Sequence, residues 1–103
     1  MALTISKRRQ AVRDLEECFV FIADDNIEVA LSFLIAAERS LDELSRFPFL
    51  GKAYEVGEFP NENRRVWHVS GYTHYLLFYE VTASAIDLIR VLHSSRDVDD
   101  LLV

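Results

Sequence analysis

The sequence predicts an α+β fold in which a helical hairpin packs on one face of a small, mainly antiparallel sheet, in the order β-α-α-β-β-β. Three observations predict it. Apolar residues recur at three- and four-residue steps through the first half. From Arg64 onward β-branched and aromatic residues dominate. The turn signals also change there, from Pro48 and Gly51 to Ser70-Gly71 and Thr82-Ala83-Ser84. With 103 residues, half of them hydrophobic, and only three Gly and two Pro, the chain has the size and composition of one compact domain spanning residues 1–103.

Leu3 to Ile5 form a short apolar start, predicted as the first strand, and Ser6 is the expected N-cap of the helix that follows. Val12, Leu15, Phe19 and Ile22, with Ala11 and Cys18 alongside, define that helix's apolar stripe. Asp24-Asp25-Asn26 permits a reversal, and Asn26 can cap a second helix carrying Ile27, Ala30, Leu31, Leu34, Ala37, Leu41 and Leu44 on one face. Pro48 lacks an amide hydrogen and restrains Phe47, so the helix ends before it. Gly51 and Gly57 punctuate a surface loop lasting to about Asn63. Three strands follow: Arg64 to Val69, Tyr72 to Val81, and Ala85 to His93. The middle one, through Tyr75-Leu76-Leu77-Phe78-Tyr79, is apolar on both alternating faces and therefore central. The tail from Arg96 ends in Leu101-Leu102-Val103, expected to pack back or form a short helical turn.

Composition narrows the function. Cys18 is the only cysteine and has no partner for an internal disulfide, no Cys/His set has zinc-site spacing, and no cofactor is expected. The N-terminus lacks the apolar run of a secretory signal and no span of 18 residues is free of charge, so the cytoplasm is the expected compartment. A net charge of −6 opposes general phosphate affinity. Lys7-Arg8-Arg9, Arg64-Arg65, Arg90 and Arg96 nonetheless form basic islands.

Phe47-Pro48-x-x-Gly51-Lys52 after a helical hairpin, Arg65-x-Trp67-x-Val69 leading to Gly71-Tyr72, the Tyr75–Tyr79 strand, and Ile89-Arg90-Val91-Leu92-His93-x-x-Arg96-Asp97 together resemble the ParE branch of the ParE/RelE toxin superfamily. The ordered set spans about ninety residues, nearly end to end. The resemblance implies a toxin neutralised by a ParD-like antitoxin whose extended and helical C-terminal segment wraps it. ParE relatives are linked to poisoning DNA gyrase by protein binding, whereas RelE relatives cut messenger RNA in the ribosome. The scaffold carries both activities, so site residues must separate them.

A metal-free ribonuclease needs a base, an acid and cations near the phosphate. Arg65, Arg90, His93 and Arg96 are the candidates for that role, and equally the candidates for target contact in a gyrase-binding toxin. In regular strands Arg65 and Trp67 share a face opposite His68, while Arg90 and His93 face opposite ways. Each also has a structural reading: Asp87 or Asp97 can accept Arg90 or Arg96, His93 can orient the C-terminal segment, and His68 and His74 suit exposed strand or turn positions. Glu80, at a position where relatives carry a basic residue, and a tail with Asp97, Asp99 and Asp100 but no tyrosine or lysine both argue against nuclease chemistry, favouring a non-enzymatic ParE-like toxin. A third reading is a non-toxic member retaining only antitoxin binding. For the antitoxin surface, Val20 and Phe21 on the first helix, Phe33 and Ile35 on the second, and Trp67 are the candidates, because they add apolar surface beyond the main stripes; Lys7, Arg8 and Arg9 can meet antitoxin acids.

Overall fold

The computed structural model describes residues 2–54, 61–96 and 98–102. The elements are β1 (Thr4–Lys7), α1 (Arg9–Asp25), α2 (Ile27–Arg46), β2 (Lys52–Ala53), β3 (Arg64–Val69), β4 (Tyr72–Val81), β5 (Ala85–His93) and α3 (Val98–Leu102). The α+β order and the three later strands agree with the sequence reading, with one strand added. The sheet runs β1-β5-β4-β3-β2, with β1 parallel to β5 and the other neighbours antiparallel. β4, apolar on both faces, takes the centre.

The added strand, β2, lies where a plain loop is expected. Gly51 makes it possible: a Cβ there would stand 2.6 Å from both the Val66 carbonyl oxygen and the Tyr79 hydroxyl. Only a residue without a side chain lets the chain approach β3 so closely. The Tyr79 hydroxyl completes the junction, accepting from the Gly51 amide at 3.1 Å and donating to the Pro48 carbonyl at 2.7 Å. Gly57, Asp97, Val103 and the side chains of Asp99 and Asp100 lie outside the described residues.

The helix starts differ from expectation at one cap and agree at the other. Ser6 does not cap α1; it belongs to β1, which runs on to pair Lys7 with Leu88, and its hydroxyl donates to Asp87 at 3.2 Å. α1 begins after Arg8, which is extended and supplies no side-chain cap. Asn26 closes α1 and caps α2, its side-chain oxygen accepting from the Val29 amide at 3.1 Å.

Both predicted stripes hold in the main and differ at their edges: Ala11, Leu15, Cys18 and Ile22 of α1 and Ala30, Leu34, Ala37, Leu41 and Leu44 of α2 belong to or pack on the core. α1 buries Ala11, Asp14 and Leu15, while Val12 is exposed. α2 buries Ala30, Phe33, Ala37, Leu41 and Leu44, leaving Ile27 and Leu31 about half exposed at 53% and 52%. The sheet is the larger apolar surface, so each helix turns its best-packing face to the sheet and leaves flanking hydrophobes outside. Phe33 in particular is core, with its ring 5.4 Å from Tyr72 and 4.8 Å from Tyr75. These helix residues meet Val69, Leu77, Tyr79, Val81, Ile86, Leu88 and Val91 from the sheet.

β5 carries one irregularity. Phe78 pairs with Arg90 but Tyr79 pairs with Leu88, so Ile89 is an extra residue in β5. Such a bulge bends its strand and re-aims the adjoining side chains.

Candidate functional site

Arg90 and His93 lie three residues apart on the regular stretch of β5 beyond the bulge, paired with Phe78 and Tyr75, and both line one cleft between α1 and the end of β5. The cleft has a volume of about 390 Å³, and Arg96 joins them at its wall with Glu17, Cys18, Phe21 and Tyr75 from α1 and β4. Three of the four residues nominated from sequence for target contact therefore converge.

Their chemistry is not alike. Arg90 is committed to Asp14, a residue the sequence reading missed. Its Nε donates to Asp14 Oδ2 at 2.7 Å and its Nη2 to Oδ1 at 3.1 Å, a bidentate pair, while Nη1 donates to the Leu101 carbonyl at 2.9 Å. Asp14 is only 3% exposed and also accepts from the Val91 amide at 3.0 Å and Gln10 at 3.2 Å. Hydrogen bonding to Asp14 raises the Arg90 pKa further. The guanidinium thus ties α1, β5 and α3 together. The expected kind of partner, a carboxylate, is present, but it is Asp14 rather than Asp87, which accepts from Arg8 at 2.9 Å; Asp97 lies outside the described residues. Asp14 was detectable as the one acid at a stripe position, a turn after Ala11 and a turn before Cys18.

His93 anchors the turn after β5, its Nδ1 accepting from the Ser95 amide at 3.0 Å. An acceptor role at Nδ1 puts the neutral ring's proton on Nε2. The ring lies edge-on to Tyr75 at 5.0 Å and stacks at 5.8 Å on His74, which is exposed as expected. Arg96 is exposed and makes no ion pair among the described residues. Burial, reinforced by the charges of Asp14 and Glu17, pushes the Cys18 thiol up to about 11.

Arg65, the fourth nominee, does not line the cleft. It donates to the Gly51 carbonyl at 2.8 Å and to the Glu62 carbonyl at 3.2 Å, and its guanidinium lies 4.6 Å over the Phe49 ring. It secures the approach to β2 and β3. Glu80 is likewise occupied, by Arg64 at 3.4 Å and Arg8 at 3.8 Å. Among the described residues no group of three or more His, Cys, Asp or Glu side chains could hold a metal ion, and no helix is long and apolar enough to cross a membrane.

A second concavity of about 340 Å³ runs along the outside of the hairpin, lined by Val12, Leu15, Phe19, Val20 and Leu34 with Lys7 and Glu16 at its rim. The residues nominated for antitoxin contact separate on this geometry. Val20 lines the groove and Ile35 is exposed beside Leu34 on α2. Phe21, 75% exposed, belongs instead to the cleft. Phe33 is excluded as a surface residue because it is fully buried. Trp67 is half-buried against the core, and its ring lies 4.6 Å from that of His68, itself half-buried. Lys7, at the end of β1, pairs with Glu38 on α2.

Comparison with solved structures finds the same architecture in a chain of the chromosomal ParDE TA system from P. aeruginosa. The TM-score is 0.69 over 89% of this chain and 96% of that one, at 16% identity, a likeness of fold. No curated protein matches the sequence significantly. The family model for the ParE toxin of type II toxin–antitoxin systems, parDE, matches residues 5–98, and the chain belongs to that family.

Proposed function

We propose that this protein acts in the cytoplasm as a toxin that inhibits DNA gyrase by binding it, without covalent chemistry, and is neutralised by a ParD-like antitoxin seated in the hairpin groove. The observation that carries the non-enzymatic reading is the commitment of the would-be catalytic cations. Arg90 is consumed by Asp14 and Arg65 by two backbone carbonyls away from the cleft. Arg96 and His93 remain as a contact surface, with Glu17 beside them where a phosphate would be repelled. The groove supports the antitoxin reading: it is lined mainly by apolar residues of the two helices, the kind of surface on which an amphipathic helix lays its apolar face.

Purified protein added to gyrase and relaxed plasmid is expected to block supercoiling, and Arg96→Glu to weaken the block by roughly tenfold or more through charge reversal at a contact. Supercoiling that proceeds unchanged at saturating protein overturns the gyrase mechanism. Codon-positioned messenger RNA cleavage in its place would establish the endonuclease reading.

A further inference from the structure

Phe47-Pro48-x-x-Gly51-Lys52 and Arg65 line neither the cleft nor the hairpin groove, yet they meet where α2 gives way to β2. Phe47 to Leu50 form one tight turn, the Leu50 amide donating to the Phe47 carbonyl at 3.2 Å, with Pro48 at the position its fixed φ suits. The turn is pinned from three directions. The Phe47 amide donates to the Glu43 carbonyl at 2.9 Å, so the turn continues directly from α2. The buried Tyr79 hydroxyl holds Pro48 and Gly51, and Arg65 holds the Gly51 carbonyl. A segment fixed this firmly nonetheless shows its largest side chains to water: Phe47 is 61% exposed, Phe49 56% and Leu50 41%.

Aromatic side chains displayed from a pre-formed turn suit the centre of a protein interface, because they bury a large area on binding and lose little freedom. Arg65 adds the other residue type enriched at such centres. Its guanidinium lies over the Phe49 ring; Nε and Nη1 are taken by the Glu62 and Gly51 carbonyls, and Nη2 has no hydrogen-bond partner among the described residues. Lys52, exposed two residues beyond Leu50, makes no ion pair among the described residues, whereas Arg46 is paired with Asp42. The patch is thus apolar with cations beside it, and its complement is an apolar pocket edged by carboxylates. Two copies joined patch to patch would bring those cations together. The net charge of −6 opposes a nucleic acid as the occupant.

We propose that Phe47, Phe49 and Leu50, with Arg65 and Lys52, form a second contact surface for the target protein, separate from the one at His93 and Arg96. A target pocket edged by carboxylates receives the two rings, and one carboxylate reaches Nη2 of Arg65. This deepens the reading of the protein as a gyrase-binding toxin and rests on it. Because none of these residues lines the hairpin groove, an antitoxin seated there leaves them uncovered.

The full chain, gyrase and relaxed plasmid supply the test. Phe47→Ala with Phe49→Ala is expected to raise the concentration that blocks supercoiling by about tenfold or more, and Lys52→Glu by about threefold or more. The rise in Tm given by the protein encoded in the adjacent reading frame is the control, because it reports the fold and the groove. That rise is expected to be unchanged in both variants. Should the double variant lose its own cooperative melt, Lys52→Glu, altered only at an exposed side chain, decides alone. Variants that block at the parent's concentration overturn the second surface and leave the gyrase reading intact. Parent protein that leaves supercoiling unchanged overturns both readings. A double variant that melts and blocks as the parent does, but no longer responds to the adjacent-frame protein, assigns the patch to the antitoxin. A parent dimer in sedimentation that the double variant converts to a monomer assigns it to a second copy of the chain. Either of these last results overturns the proposal.

Discussion

Asp14 holds more of the molecule together than any residue named from sequence. It joins a helix to a strand backbone beyond the reach of β1, and through Arg90 it fixes the carbonyl of Leu101. Removing one member of a buried pair leaves the other charge uncompensated, whereas replacing both with apolar groups is far less costly. Asp14→Ala is therefore expected to lose about 3–5 kcal/mol in urea unfolding. Asp14→Ala with Arg90→Met should lose clearly less than the two single changes summed, and additive losses would show that the pair is not coupled. Cys18 gives a prediction in pH. Its thiol is pushed up from 9.0 to about 11 by burial first and by Asp14 and Glu17 next. An acid whose folded pKa is raised costs nothing below its unfolded value and destabilises as the unfolded chain begins to ionise. Stability is thus expected to fall as pH rises from about 9 to 11. Burial moves Tyr75 and Tyr79 in the same direction above their ordinary value of 10.0. Cys18→Ala should flatten the lower part of that decline; an unchanged slope between pH 9 and 10 would refute the thiol's role.

At the scale of elements, every strand but the short β2 was legible, and helix faces were legible except at their edges. The three later strands begin and end where the sequence signals place them, because Ser70-Gly71 and Thr82-Ala83-Ser84 mark two hairpins, and Gly71 takes the positive φ of 81° that such a turn requires. α2 is different. It carries hydrophobes on nearly all sides, so periodicity alone cannot choose between a face centred on Leu31 and one centred on Phe33; the rings of Tyr72 and Tyr75, distant in sequence, decide. The β5 bulge was equally illegible: Ile89, the extra residue, is an ordinary strand residue by type, and nothing in the sequence marks it. The burial of Phe33 is directly testable. Phe33→Ala should cost about 3–5 kcal/mol as a cavity-forming core change. Ile35→Ala, with its side chain outside, should stay within about 0.5 kcal/mol. Equal losses in the same denaturation series would return Phe33 to the surface.

Across the whole molecule, the hairpin's sheet-facing side is filled, yet Val20 is 65% exposed and Leu31 and Ile35 remain outside with it. A domain of this size gains little by leaving such apolar surface in water, and contiguous patches of this kind mark a binding surface. The sequence made the excess visible, since Val20 and Ile35 fall off any single stripe, but not that Val20 and Phe21 serve two concavities on opposite sides of α1. A partner that binds only the folded toxin raises its stability by mass action, by about 2.7 kcal/mol at a hundredfold excess over Kd. For a chain of 103 residues that is a rise in Tm of roughly 10–20 °C. Val20→Glu places a charge in the groove while disturbing no core contact. The free variant should melt within about 2 °C of the parent, because an exposed substitution changes stability little, yet the antitoxin should no longer raise its Tm. A full antitoxin-induced shift in Val20→Glu would move the antitoxin off the hairpin groove and leave the exposed stripe without a role.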